Sequence, residues 1–220
     1  MNLPMNVQWA REQMVEQQVH AWHVFDDRVL ATMSQLRRED FAPAPYSEVA
    51  FADAPIPLPR GQTLLPAKIQ GRILQSLAVN PADIALEIGA GSGYLSACLG
   101  HLAARVRSLE IFPELAELAR RNLFAAAVNN VAVEVADAMQ FSEQSAYDVI
   151  AVTGSLPLYD ERFQQALRIG GRLFVIVGQA PVMEAWQVTR IGEREWQRVG
   201  LFETVVAPLI NAPRPSEFVF

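Results

Sequence analysis

Three glycines on alternate positions, Gly89, Gly91 and Gly93, follow a short apolar run ending at Ile88, and Glu87 stands two places before the first of them. A turn without Cβ atoms bends sharply and lets a ligand approach the main chain closely. A dinucleotide loop would place its third glycine three positions after the second, at residue 94, to pack helix on strand beside a pyrophosphate. Residue 94 is Tyr94. A carboxylate at Glu87 repels a pyrophosphate and suits a ligand carrying an ammonium and a sulfonium. The spacing therefore favours S-adenosylmethionine over a nicotinamide dinucleotide. Two further acids fit a nucleoside. Glu110, 21 residues after Gly89 and next to Ile111, ends a second apolar run, where a carboxylate accepts from both ribose hydroxyls. Asp137 follows a third run and reads as the acceptor for an adenine amino group, with the Ala138 N–H facing the ring. Each acid also has a plainer reading, Glu110 as a helix cap and Asp137 as a turn residue. Cys98, His20, His23 and His101 lack the spacing of metal ligands.

The segments around these residues alternate between strand and helix. IALEI, RVRSLEI, VAVEV, YDVIAVT and GGRLFVIVG read as strands, and residues 94–101, 113–127 and 159–168 as helices, with Pro113 at a first helical position. Strands joined by crossover helices make a parallel sheet covered on both faces, and right-handed crossovers make it doubly wound. Ligands in such sheets bind beyond the carboxyl ends of the strands, where the glycine turn falls. EAWQVTRI, EWQRV and FETVVAPL are strand-like without intervening helices, which predicts an antiparallel C-terminal edge. Upstream, Val7, Ala10 and Met14 share a helical face, and Asp26 caps a second helix carrying Val29, Met33 and Leu36. Ile69, Ile73 and Leu77 mark a third. Residues 41–66 hold six of the fourteen prolines and read as an ordered connector lying on the core.

A length of 220 residues suits one domain with a sizeable core. The net charge of −6 leaves no basic footprint for nucleic acid, and Glu39 and Asp40 neutralise the densest basic spot, Arg37-Arg38. A single cysteine excludes an internal disulfide framework and fits a reducing compartment. No apolar run approaches the ~20 residues of a membrane span, and the N-terminus does not read as a signal peptide. The expectation is a soluble, cytoplasmic protein with neither nucleic acid nor membrane as partner.

Several longer stretches carry a resemblance. MVEQQV, DDRVLATM, REDFAP, AFADAPIPLPRGQT, LEIGAGSGYLSACL, SLEIFPELAELARRNL, YDVIAVTGSLP, GGRLFVIVG and VVAPL resemble, in this order, the protein-L-isoaspartate O-methyltransferase family. The resemblance implies a class I, Rossmann-like fold: a doubly wound, mostly parallel seven-stranded sheet with a helical annex and connector (1–66), a cofactor-binding core (67–178) and C-terminal antiparallel strands (179–220). It implies methyl transfer from S-adenosylmethionine to a carboxylate of isoaspartyl residues in damaged peptides and proteins. Glu87, Gly89, Ala90, Gly91 and Gly93 then shape the methionine end of the cofactor site, Glu110 and Ile111 the ribose site, and Asp137 and Ala138 the adenine site. Gln62 and Thr63 border the transfer centre. The family usually continues GQT with an apolar residue and then a serine, whereas this chain has Leu64 and Leu65. Lys68, three residues on, offers a point charge for an anionic acceptor, or is an ordinary exposed lysine. A leucine in the serine's place keeps open a small-molecule acceptor or a non-catalytic cofactor-binding module.

Overall fold

The computed structural model describes residues 6–215. Phe218 and Phe220, whose docking the sequence leaves open, lie outside them. The N-terminal periodicity produces α1 (Val7–Met14) and α2 (Asp27–Gln35). The Asp26 carboxylate caps α2 by accepting from the Arg28 N–H at 2.9 Å. Val29, Met33 and Leu36 are buried along one side of this segment. The proline-rich connector forms short 3₁₀ turns and a two-stranded antiparallel ribbon, β1 (Ile56–Pro57) with β2 (Thr63–Leu64). It leads directly into α3 (Ala67–Leu77), which buries Ile69, Ile73 and Leu77.

The remainder alternates: β3 (Ile84–Ile88), α4 (Tyr94–Leu102), β4 (Arg105–Glu110), α5 (Pro113–Ala125), β5 (Val131–Val135), β6 (Tyr147–Leu156), α6 (Arg162–Gln165), β7 (Leu167–Gln179), β8 (Val182–Gly192) and β9 (Glu195–Glu203). The seven strands of the main sheet run in the order β5-β4-β3-β6-β7-β8-β9. Pairings are parallel through β7, and β8 and β9 pair antiparallel at one edge. Period-two alternation divides the side chains between two layers. Ala85, Val106, Val149, Ala151 and Phe174 pack with Ile73, Leu95 and Leu115. Leu86, Ile88, Leu109, Ile150, Val152 and Leu173 pack with Phe163. The order reverses at β3, which pairs with β4 on one side and β6 on the other. That reversal opens a crevice at the carboxyl ends. Among the described residues, no helix is long and apolar enough to cross a membrane.

Two segments differ from the sequence reading. The helix expected over 159–168 is confined to Arg162–Gln165. Its Ala166 carbonyl accepts from the Ala146 and Tyr147 N–H groups, which draws Leu167 into the sheet. The strand expected in FETVVAPL ends with β9 at Glu203. The chain then crosses to the carboxyl end of β6, where Ser155 N–H donates to the Ala207 carbonyl and Leu209 N–H donates to the Ser155 carbonyl, both at 2.9 Å. Pro208 between them has no N–H to extend a ladder.

Candidate active site

The glycine turn joins β3 to α4. Gly89, Gly91 and Gly93 have φ of 92°, 53° and 87°, a region where a Cβ is strained. Gly89 has a second constraint, because a Cβ there would collide with the Thr153 hydroxyl. That hydroxyl donates to the Ile88 carbonyl at 2.8 Å and to the Gly89 carbonyl at 3.0 Å, tying the turn to β6. Gly93 is the N-terminal cap residue of α4, packed on Ala119 of α5.

A cleft beyond the strand ends collects Gln62, Thr63, Leu65, Gly89, Gly91, Glu110, Ile111, Asp137 and Ala138. Residues separated by up to 76 positions in sequence thus meet at one place. Glu110, 5% exposed, accepts the Gly91 N–H on Oε2 at 2.9 Å and the Phe112 N–H on Oε1 at 3.0 Å. It therefore links the glycine turn to the start of α5, and each oxygen keeps a lone pair for a further donor. Asp137 caps the 3₁₀ turn Ala138–Gln140 by accepting from the Met139 N–H at 2.8 Å. The other Asp137 oxygen accepts from the Asn211 side chain at 3.0 Å. The plainer reading of this aspartate as a turn residue is thus present at the cleft wall.

Glu87 takes a different place from the turn it precedes. Its strand parity points it between β3 and α4, where it is fully buried and absent from the main cleft. Oε2 accepts from the Ser96 hydroxyl and, at 2.5 Å, from the Ser108 hydroxyl, while Oε1 has no hydrogen-bond partner. Burial pushes this carboxyl up to about 7, against the two serine bonds, and the nearby Glu110 adds to the rise. Glu87 and Ala90 instead border a small cavity behind the turn, which also touches Leu65 and Ser92. Lys68 lies in an adjoining groove.

Residues that sequence reasoning did not single out complete the site. Phe112, Thr153 and the segment Val206–Ile210 line the cleft. VVAPL carries the only sequence signal for that segment. Arg38, read from the sequence as half of a neutralised basic spot, is fully buried, while Arg37 pairs with Glu39 and Asp40, and Arg11 also pairs with Glu39. The Arg38 guanidinium donates to the Ala50 carbonyl at 2.9 Å, to the Leu65 carbonyl at 2.7 Å and to the Gln70 side chain. It also sits 5.0 Å from the Tyr94 ring centroid. This buried cation fixes the Thr63–Leu65 segment against the head of α4.

The seven-stranded sheet, its antiparallel edge and a cleft at the point of strand reversal give the chain the Rossmann-like fold of class I methyltransferases. Residues 9–211 match the family model for protein-L-isoaspartate(D-aspartate) O-methyltransferase, and the chain belongs to this family. It is 37% identical over 202 residues to the protein-L-isoaspartate O-methyltransferase of Koribacter versatilis, covering 91% of this chain and 90% of that protein. The Methanoculleus marisnigri protein of the same name is 38% identical over 196 residues, covering 89% and 86%. A crystal structure from Plasmodium falciparum, described as a protein-L-isoaspartate O-methyltransferase in complex with S-adenosyl-L-homocysteine, superimposes with a TM-score of 0.79 at 20% identity. It covers 90% of this chain and 97% of the other.

Proposed function

We propose that the chain transfers a methyl group from S-adenosylmethionine to the free α-carboxylate of L-isoaspartyl residues in damaged peptides and proteins. The observation that carries this reading is the convergence of the glycine turn, Glu110, Asp137 and the Gln62–Leu65 segment on one cleft. The residues fit the cofactor. A Cβ at Gly89 would disrupt the turn, Glu110 presents two partly used acceptors for a ribose, and Asp137 and Ala138 stand where an adenine would lie. When bound, S-adenosylmethionine supplies a methyl group on a cationic sulfur, and the new O–CH3 bond forms as the C–S electron pair returns to sulfur.

The protein has little proton chemistry to perform. An acceptor carboxylate with an ordinary pKa near ~4 is already ionised at neutral pH, so no general base is required. The work left to the side chains is to orient two reactants and keep water away. Gln62 and Thr63 border the transfer centre, where the cleft meets the adjoining groove at Thr63 and Leu65. The Val206–Ile210 segment lines the same cleft. The whole chain acts as one methyltransferase unit, and its buried lone thiol, Cys98, accords with a cytoplasmic setting.

Leu65 favours a second reading, a small acceptor bearing a carboxylate or hydroxyl, because apolar contact discriminates weakly where a hydroxyl would select. Radiolabelled S-adenosylmethionine with a synthetic isoaspartyl peptide separates the two. Base-labile methyl ester on the peptide supports isoaspartyl transfer. Its absence from folded, cofactor-binding protein refutes it.

A further inference from the structure

The groove beside the cofactor cleft shares Thr63, Leu65 and the 206–208 segment with it and opens outward past Trp22, Lys68 and Met183. On the methyl-transfer reading this groove is the outward path to the transfer centre. Leu65, at the junction, offers an apolar side chain and no donor. Two cationic side chains line the groove among the described residues, Lys68 and Arg214. Lys68 is in the first turn of α3, three residues beyond Leu65.

Its ammonium is held rather than free. Nζ lies 2.6 Å from Asp53 Oδ2 and 5.1 Å from the Trp22 ring centroid. Trp22 is in turn fixed edge-on against Phe202 at 5.1 Å. An aromatic face and a carboxylate together restrict a four-carbon stem that would otherwise sweep through solvent. Asp53 does not itself line the groove, and its side chain is 42% exposed. The solvent reaching Asp53 screens this pair, so an incoming carboxylate can exchange with Asp53 while Trp22 still positions the lysine.

Resting on the methyl-transfer reading, we propose that Lys68 is the specificity-determining cation of the acceptor groove, binding the acceptor carboxylate beside the transfer centre where residue 65 supplies no hydroxyl. Asp53 is its resting partner and competes with the acceptor. The acceptor class is therefore anionic, and Lys68 acts on its affinity more than on the chemical step.

The test is steady-state methyl transfer to a synthetic isoaspartyl peptide by the wild type and by Lys68→Met, Lys68→Arg and Asp53→Asn, with S-adenosylhomocysteine affinity measured alongside. Lys68→Met is expected to raise KM for the peptide roughly tenfold, the low end of what losing one charge-assisted hydrogen bond costs. The kcat and cofactor affinity stay near wild type, and Lys68→Arg restores most of the loss. Asp53→Asn lowers KM about two- to fivefold by removing the competitor. A Lys68→Met KM equal to wild type, or an Asp53→Asn KM that does not fall, overturns the proposal while ester formation by the wild type leaves the function standing. Wild-type protein that binds S-adenosylhomocysteine but makes no ester overturns the function and this proposal with it.

Discussion

Glu87→Gln isolates the energetic consequence of placing an acid inside the β3–α4 interface. The carboxyl is fully buried, accepts two serine hydroxyls on one oxygen and leaves the other unpartnered. Burial, reinforced by the charge of Glu110, lifts it from the ordinary 4.5 to about 7. Between those two values the folded protein binds a proton that the unfolded chain has released. Stability from this group is therefore complete below about 4.5 and is lost as pH rises through about 7. At about 1.4 kcal/mol per tenfold change in proton affinity, the loss is on the order of 3 kcal/mol. Glutamine keeps an acceptor for Ser96 and Ser108 and a donor where the protonated acid has one, but it never ionises. Urea unfolding of both proteins at pH 5 and pH 8 reads the effect. The two are expected to be close at pH 5, with the variant more stable at pH 8 by roughly 3 kcal/mol. A difference independent of pH, or a variant less stable than wild type at pH 8, would refute this account of Glu87. A bound cation favours the ionised acid, so the affinity of wild type for S-adenosylmethionine, with its sulfonium and ammonium, should also weaken below pH 7 more than that of the variant.

Three other substitutions probe separate parts of the site. Glu110→Ala removes the acceptor shared by the Gly91 and Phe112 N–H groups and by the proposed ribose contacts. Calorimetry with S-adenosylhomocysteine should show affinity at least about a hundredfold weaker, and unchanged affinity would remove Glu110 from the site. Leu65→Ser restores a hydroxyl at the junction of cleft and groove. The kcat on an isoaspartyl peptide should rise by roughly tenfold or more, up to the ~10²–10³ a well-placed donor contributes, and an unchanged kcat means this position does not limit transfer. Arg38→Met strips donors from two buried carbonyls and from Gln70. Each orphaned acceptor costs about 1–3 kcal/mol, so denaturant unfolding should register a loss of several kcal/mol.

What the sequence discloses about this protein is mostly local in origin. IALEI and VAVEV become β3 and β5 with the expected limits, and Pro113 and Asp26 mark helix starts because capping and φ restriction act within a few residues. The glycine spacing is equally local, since positive φ is a property of the turn itself. The contacts that escape notice join distant parts of the chain. Asn211 reaches Asp137 across 74 positions, and Arg38 reaches Leu65 across 27. The buried setting of Arg38 cannot be read from neighbours that include Arg37, Glu39 and Asp40, because those charges pair with one another and with Arg11 rather than with it. Glu87 is the instructive intermediate. Its acidity suggested a ligand contact, yet alternation along β3 assigns it to the same face as Ala85, and Leu86 and Ile88 to the other. A strand covered on both faces turns each of its side chains into one layer or the other, so an acid one residue before its end belongs to the packing beneath a turn before it belongs to the ligand above it. The placement of Glu87 was thus implicit in strand parity, and its influence on a ligand must pass through the main chain of Gly89–Gly91 and the small cavity they share.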